Sequence, residues 1–165
     1  MTPIAKIWAM QLITPILTAV DYRLGKITLL SPAVIELLLG TVAHESGGFK
    51  YPAQVGGPAL GYFGMEPATA LDTIQRTEEH YPLLYAACLP WVAGDPDDIV
   101  KGLIFNIDSQ IVLARLKYWL SPGRLPAYGD LTSQATYYKQ YWNTVLGKSN
   151  PEKYISDWNR YVKGE

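Results

Sequence analysis

The chain is poor in the residues that build metal and disulfide chemistry, with a single cysteine, Cys88, and two histidines, His44 and His80, in 165 residues. One thiol closes no intramolecular disulfide and completes no multi-cysteine zinc site, and two histidines far apart in sequence make a poor metal centre. No metal or other cofactor is expected, so stability has to come from packing. An excess of charge of one sign is also missing. With 14 Lys+Arg against 15 Asp+Glu the net charge is −1, which gives counterion release nothing to work with and excludes nucleic acid as the expected partner. Low-complexity stretches and a repeat period of about 20 to 50 residues are absent too, so the chain is neither a disordered segment nor an array. The N-terminal run Ile7 to Val20 is uncharged over 14 residues behind Lys6, too short on that count for a bilayer core about 30 Å thick. It contains Gln11 and Pro15 and no clean small-x-small cleavage site, so it reads as a first core helix. Neither a signal peptide nor stable membrane insertion is expected.

What remains is the composition of one globular domain spanning residues 1–165, with 48% hydrophobic and 18% charged residues. Its length suffices to bury a sizeable core. Five Trp and twelve Tyr are many for this length. Such amphipathic rings suit a core, and equally a groove that stacks sugar faces.

Helix signals dominate and strand alternation is nearly absent, so the fold class expected is all-α, with at most a small irregular β-hairpin around Val55 to Phe63. Ser31-Pro32 supplies an N-cap and a proline at the first helical position, which predicts a buried helix over Pro32 to Ser46 ending at Gly47-Gly48. Glycine and proline then mark a loop to Gly64, and Pro67 starts another helix. From Asp95-Pro96 to Leu120, the apolar positions Ile99, Leu103, Ile107 and Ile111 recur at helical intervals and predict one long central helix. Ser121-Pro122-Gly123 stops it. Two further helices are expected: about Leu131 to Val145, opened by Thr132 or Ser133, and Pro151 to Val162, opened by Asn150.

On the Pro32 to Ser46 helix, steps of four link Ala33, Leu37, Thr41 and Glu45. Glu45 therefore leaves the helix on the same face as packed leucines, at a C-terminus whose dipole disfavours added negative charge. Both effects raise a carboxyl pKa, which is what a general acid working near neutral pH requires. A glutamate that merely ends an amphipathic stripe is the structural alternative.

The stretch Glu45-Ser46, a loop, and then Gly61-Tyr62-Phe63-Gly64-Met65-Glu66-Pro67-Ala68-Thr69-Ala70 resembles the lytic transglycosylase and goose-type lysozyme group of the lysozyme-like superfamily. There a helix ends in Glu-Ser, and a Gly-Leu-Met-Gln-x-x-Pro-x-Thr-Ala segment returns to floor a cleft. The resemblance covers residues 43 to 70 and is echoed by Tyr141-Trp142-Asn143-Thr144, which is similar to the Ala-Tyr-Asn segment of the far wall. It implies a lysozyme-like helical domain in which Glu45 protonates the glycosidic oxygen between N-acetylmuramic acid and N-acetylglucosamine in peptidoglycan glycan strands. Ser46 would hydrogen-bond near that carboxyl, and Gly61, Tyr62, Phe63, Gly64 and Glu66 would run along the sugar. Tyr141, Trp142 and Asn143 would line the opposite wall. For Tyr62 and Phe63, composition alone favours core packing equally.

Two departures from the family pattern bear on mechanism. Gly64 stands where the family has glutamine, so a side-chain amide is missing. Glu66 is a carboxylate where the family usually carries an apolar residue. An ordinary glycoside hydrolase needs two carboxyls, about 5 Å apart for retention or about 6.5 to 9.5 Å for inversion, whereas a lytic transglycosylase needs one, because the sugar's own 6-hydroxyl closes the ring. Glu66 reads first as a dipole partner at a helix N-terminus, with Asp72 as another available carboxylate. The expectation is a lytic transglycosylase. The rivals are an inactive lysozyme-like wall-binding or structural protein, and a chitinase or chitosanase with a paired carboxylate. A general likeness to phage virion-associated lysozyme-like domains, together with the near-neutral charge, suits delivery by other virion or secretion-machine proteins to the bacterial wall or periplasm.

Overall fold

A computed structural model describes residues 1–26, 29–52, 56–143 and 149–165. Among these the chain is all-helical, with eight helices. They are α1 (Pro3–Leu24), α2 (Pro32–Glu45), α3 (Pro67–His80), α4 (Pro82–Val92), α5 (Pro96–Phe105), α6 (Ile107–Trp119), α7 (Leu131–Tyr138) and α8 (Pro151–Asp157). Widened π turns interrupt α1 at Trp8–Ile13 and prolong α7 over Lys139–Asn143 and α8 over Trp158–Lys163.

Helix α2 begins as its sequence requires: Ser31 is extended and its hydroxyl accepts the Val34 N–H at 3.2 Å. Its apolar residues leave no polar side to face water, so the helix has to be surrounded. Leu37, Leu38, Leu39, Val42 and Ala43 are buried, and α1, α6, α7 and the extended α8 pack round it. Burying each such leucine contributes about 1.5 to 3 kcal/mol, and Leu38→Ala would cost about 2 to 5 kcal/mol. The helix stops in a turn of left-handed residues, Gly47, Gly48 and Phe49, with φ of +59°, +82° and +66°. Phe49 is held there by donating its N–H to Ser46 Oγ at 2.7 Å.

Gly40 lies in mid-helix, where glycine is ordinarily unfavourable. A Cβ there would stand 1.9 Å from the Tyr154 hydroxyl, so the missing side chain is what lets α8 approach α2.

The second central helix is shorter than its periodicity predicts. The run from Asp95 to Leu120 breaks at Asn106, whose backbone is extended (φ −123°, ψ 103°) and whose side chain caps α6 by accepting the Ser109 N–H at 3.2 Å. Apolar spacing carries through the break because Leu103 and Ile111 both reach the core, while Phe105 beside the break stays 81% exposed. Only α6 is central: it packs against α1 to α5 and the end of α7, with Ile111 to Leu116 all buried. Helix α4 has no counterpart in the sequence reading.

Helix α1 extends beyond the apolar run at both ends. By length and composition its 22 residues are enough to cross a membrane, so the argument that the run is too short does not carry over to the helix. Trp8, Ile13, Leu17 and Val20 are nevertheless packed in the core. The expected hairpin reduces to one antiparallel bridge, Leu60 to Met65, and Val55 lies outside the described residues. Helix α7 is capped by Asp130, which accepts the Ser133 N–H at 3.0 Å, in place of Thr132 or Ser133. The expected end at Val145, like Thr144, also lies outside the described residues.

Candidate functional site

Glu45 is the last residue of α2 and is only partly exposed. Burial raises its carboxyl above the ordinary value. Donation from the Tyr138 hydroxyl, the charges of Lys117 and Lys153, and the nearby Trp142 side chain act in the opposite direction without cancelling it. The Tyr138 hydroxyl stands 2.5 Å from Glu45 Oε1. Burial and contact with Glu45 push the Tyr138 phenol far above its ordinary value, so it remains a donor at any pH of interest.

Two contributors come from far along the sequence. Lys117, on α6, donates to the Trp142 carbonyl at 3.1 Å, and its ammonium sits 4.1 Å from the Trp142 ring centre. Burial lowers its pKa to about 8, while the charges of Glu45 and Glu66 hold it up. Both carboxylates thus act on Lys117 through their charge. Tyr138, on α7, fixes one oxygen of Glu45 and leaves the other, Oε2, turned toward Gly64, where a Cβ would lie 2.9 Å from it.

The remaining residues singled out in the sequence divide into wall and interior. Gly64 has φ +58° and closes a turn by donating its N–H to the Gly61 carbonyl at 3.0 Å. Gly61 (φ +70°) packs against the Leu103 carbonyl and the Gln110 side chain, with no room for a Cβ. Tyr62 is partly exposed, its N–H bonded to Gln110 Oε1 at 2.8 Å and its ring edge-on to Trp8. Phe63, between Trp8 and Trp142, is 1% exposed and presents no face to a ligand. Trp142 is 5% exposed and stacks obliquely on Tyr118. Ser46 is fully buried, its hydroxyl donating to the Val42 carbonyl at 2.6 Å and accepting from Phe49. It shapes the turn after α2, and its hydroxyl has no bond to the carboxyl.

Glu66 is exposed at the start of α3 and makes no side-chain cap bond. Asn143 accepts from Lys139 Nζ at 2.9 Å. Tyr141 packs on Tyr137 with ring centres 4.6 Å apart. It also lines a groove of about 240 Å³ that Thr69, Asp72, Gln140 and Lys117 border. Asp72 is exposed there and pairs with Arg76 at 3.6 Å.

The sequence reading missed Tyr138 and Lys117. A lysine inside a helical run ordinarily marks a solvated face, and nothing local separates Tyr138 from the other tyrosines. Among the described residues no group of three or more His, Cys, Asp or Glu side chains could hold a metal ion. No protein-family model, curated protein or solved structure matches the chain.

Proposed function

We propose that the protein is a peptidoglycan-cleaving glycosidase of the lysozyme-like type, acting as a lytic transglycosylase on the bond between N-acetylmuramic acid and N-acetylglucosamine. The observation that carries this reading is the carboxyl of Glu45, held protonatable by burial at the end of α2 and oriented by Tyr138. A carboxyl with a raised pKa and one oxygen anchored is suited to give a proton to a glycosidic oxygen and then take one from the attacking hydroxyl. In that sequence the glycosidic C–O bond breaks as Glu45 protonates the leaving sugar. The muramoyl 6-hydroxyl then adds to the anomeric carbon while Glu45 recovers a proton from it, so atoms and charge balance without a second carboxylate.

A groove beside Lys117, whose lining does not include Glu45, offers hydroxyl, carboxylate and amide contacts from Thr69, Asp72 and Gln140, with the Tyr141 ring alongside. A scaffold without turnover, binding the wall or serving a virion or secretion machine, is the second reading. It is favoured by one observation: Gly64, where the family's amide is missing, is pressed against Glu45. Digestion of purified peptidoglycan followed by mass analysis of the soluble muropeptides decides. Anhydromuramoyl ends are the expected result. Reducing ends would indicate a hydrolase, and no release would leave the scaffold reading.

A further inference from the structure

His44 immediately precedes Glu45, yet the proposed reaction makes no use of it. Successive helix residues diverge by about 100°, so the two side chains leave α2 in different directions. His44 meets a set of groups of its own. Its Nδ1 lies 2.7 Å from Asp157 Oδ2, and its Nε2 lies 2.6 Å from Ser149 Oγ. The three residues come from the last turn of α2, from two positions ahead of α8, and from the end of α8. Nothing but folding brings them together.

Donor counting fixes how the hydrogens run. A carboxylate only accepts, so the hydrogen between Asp157 and the ring sits on Nδ1. His44 is buried. Burial holds it below its ordinary value, as does the Lys153 charge, against the opposing pull of Asp157. A neutral ring protonated at Nδ1 carries a lone pair at Nε2, and the Ser149 hydroxyl donates to it. Carboxylate to Nδ1 and hydroxyl to Nε2 is the order in which a serine is made nucleophilic, and both contacts are within the reach such a pair needs. A histidine that merely had to be satisfied in the interior would have no call for this order.

The surroundings agree with it. Ser149 is partly open to solvent, as a nucleophile must be, with the base beneath it. The imidazole is held between two rings, Tyr138 edge-on with centres 5.0 Å apart and Tyr154 with centres 5.9 Å apart. Asp157 is held from its own helix, because Lys153 Nζ donates to the same Oδ2 at 2.7 Å. A base whose orientation is locked by packing and by a fixed carboxylate meets the positional demand of catalysis.

We propose that Ser149, His44 and Asp157 form a second active site, a triad that hydrolyses acyl esters, with Ser149 as nucleophile, His44 as general base and Asp157 as the positioning residue. This site goes beyond the glycosidase reading and does not depend on Glu45. Ser149 Oγ adds to the ester carbonyl carbon while its proton passes to His44 Nε2. The bond from that carbon to the alcohol oxygen then breaks, and His44 gives the proton to the departing alcohol. Water next adds to the acyl-serine and leaves one proton on Nε2. Oγ departs and takes that proton back. One water is consumed, one alcohol and one carboxylic acid are released, and nothing is oxidised or reduced. An ester is the class because an alcohol departs with the one proton His44 holds, whereas an amide asks in addition for strong oxyanion donors, which a triad alone does not supply.

The test exposes the folded full chain to a fluorophosphonate, which phosphonylates activated serines, and maps the adduct by mass spectrometry, with p-nitrophenyl acetate as the turnover substrate. An adduct on Ser149 is expected in the folded protein and none in urea, where the three residues are apart. Ser149→Ala should lose the adduct and lower ester turnover by about 10²-fold or more. Asp157→Asn should lower kcat by a similar factor with KM held, because the ring is no longer kept in the Nδ1–H form. A folded parent with Ser149 unmodified would overturn the proposal, and that measurement needs no variant. So would ester turnover that survives Ser149→Ala, since another group would then be responsible. A kcat unmoved in Asp157→Asn would reduce Asp157 to a structural partner and break the triad. Failure to cut peptidoglycan would sink the proposed function and leave the labelling result standing.

Discussion

Gly64 and Glu45 are in such close approach that a Cβ on residue 64 would lie 2.9 Å from Glu45 Oε2, and the backbone of Gly64 is in the left-handed region at φ +58°. The amide that the resembling family carries at this place therefore cannot be restored by substitution alone. Gly64→Ala is expected to lose about 1 kcal/mol or more from backbone strain, and Gly64→Gln more, with lytic activity falling in both as the carboxyl is displaced. Melting temperature measured beside muropeptide release checks this, and a Gly64→Gln variant with parental stability and higher turnover would contradict it.

Glu45→Gln is expected to lower muropeptide release by about 10² to 10⁴-fold, the usual worth of a positioned general acid, while the fold persists. Its effect on stability has a definite sign. The folded pKa of Glu45 is raised, so its contribution is fully present below the unfolded value near 4.5 and is lost as pH rises through the folded value. Gln, which never ionises, should melt above the parent at pH 7, and the gap should close as pH falls below about 4.5. A gap that widens toward acid would show that the burial argument has the wrong sign.

Lys117→Met keeps the apolar stem and removes the charge that favours ionised Glu45. The carboxyl should hold its proton to higher pH, so the alkaline limb of the kcat/KM profile should move upward. A limb that stays put or moves down would mean that Lys117 does not act on Glu45.

Glu66→Gln should retain turnover within about tenfold and still yield anhydro ends, because the one-carboxyl route does not use Glu66. Reducing-end products from the parent, together with a Glu66→Gln variant slower by orders of magnitude, would instead make Glu66 a second catalytic carboxyl.

Asn106→Ala removes the cap that starts α6 and should cost about 1 kcal/mol, read as a lower urea midpoint with an unchanged slope. No loss would mean that the break is set by packing around Leu103 and Ile111 alone.

Helix α2 could be read from sequence because its start is local chemistry, Ser31-Pro32, and its burial follows from having no polar face. The break at Asn106 could not, because apolar periodicity reports which face is buried and runs straight across a change of axis. Helix α4 was hidden for a related reason. It starts at Tyr81-Pro82 without a side-chain cap, and Pro90 lies inside its last turn. In the site, Glu45 was accessible through spacing on its own helix. Tyr138 and Lys117 act on it across the fold, and residue spacing cannot register that. Sequence alone offers His44 only as a metal ligand, because its partner Asp157 meets it only once α8 docks.

Gly40 gives this docking a further meaning. Its missing Cβ sets the spacing between α2 and α8, and the Tyr154 ring fills the gap, its hydroxyl donating to the Leu37 carbonyl at 3.3 Å. A single methyl group there would act as a wedge, and the parts it pries apart are those that carry His44 on one side and Asp157 on the other. Tolerance to mutation should therefore be lowest at a residue with no functional group at all, five residues before the carboxyl on the same helix.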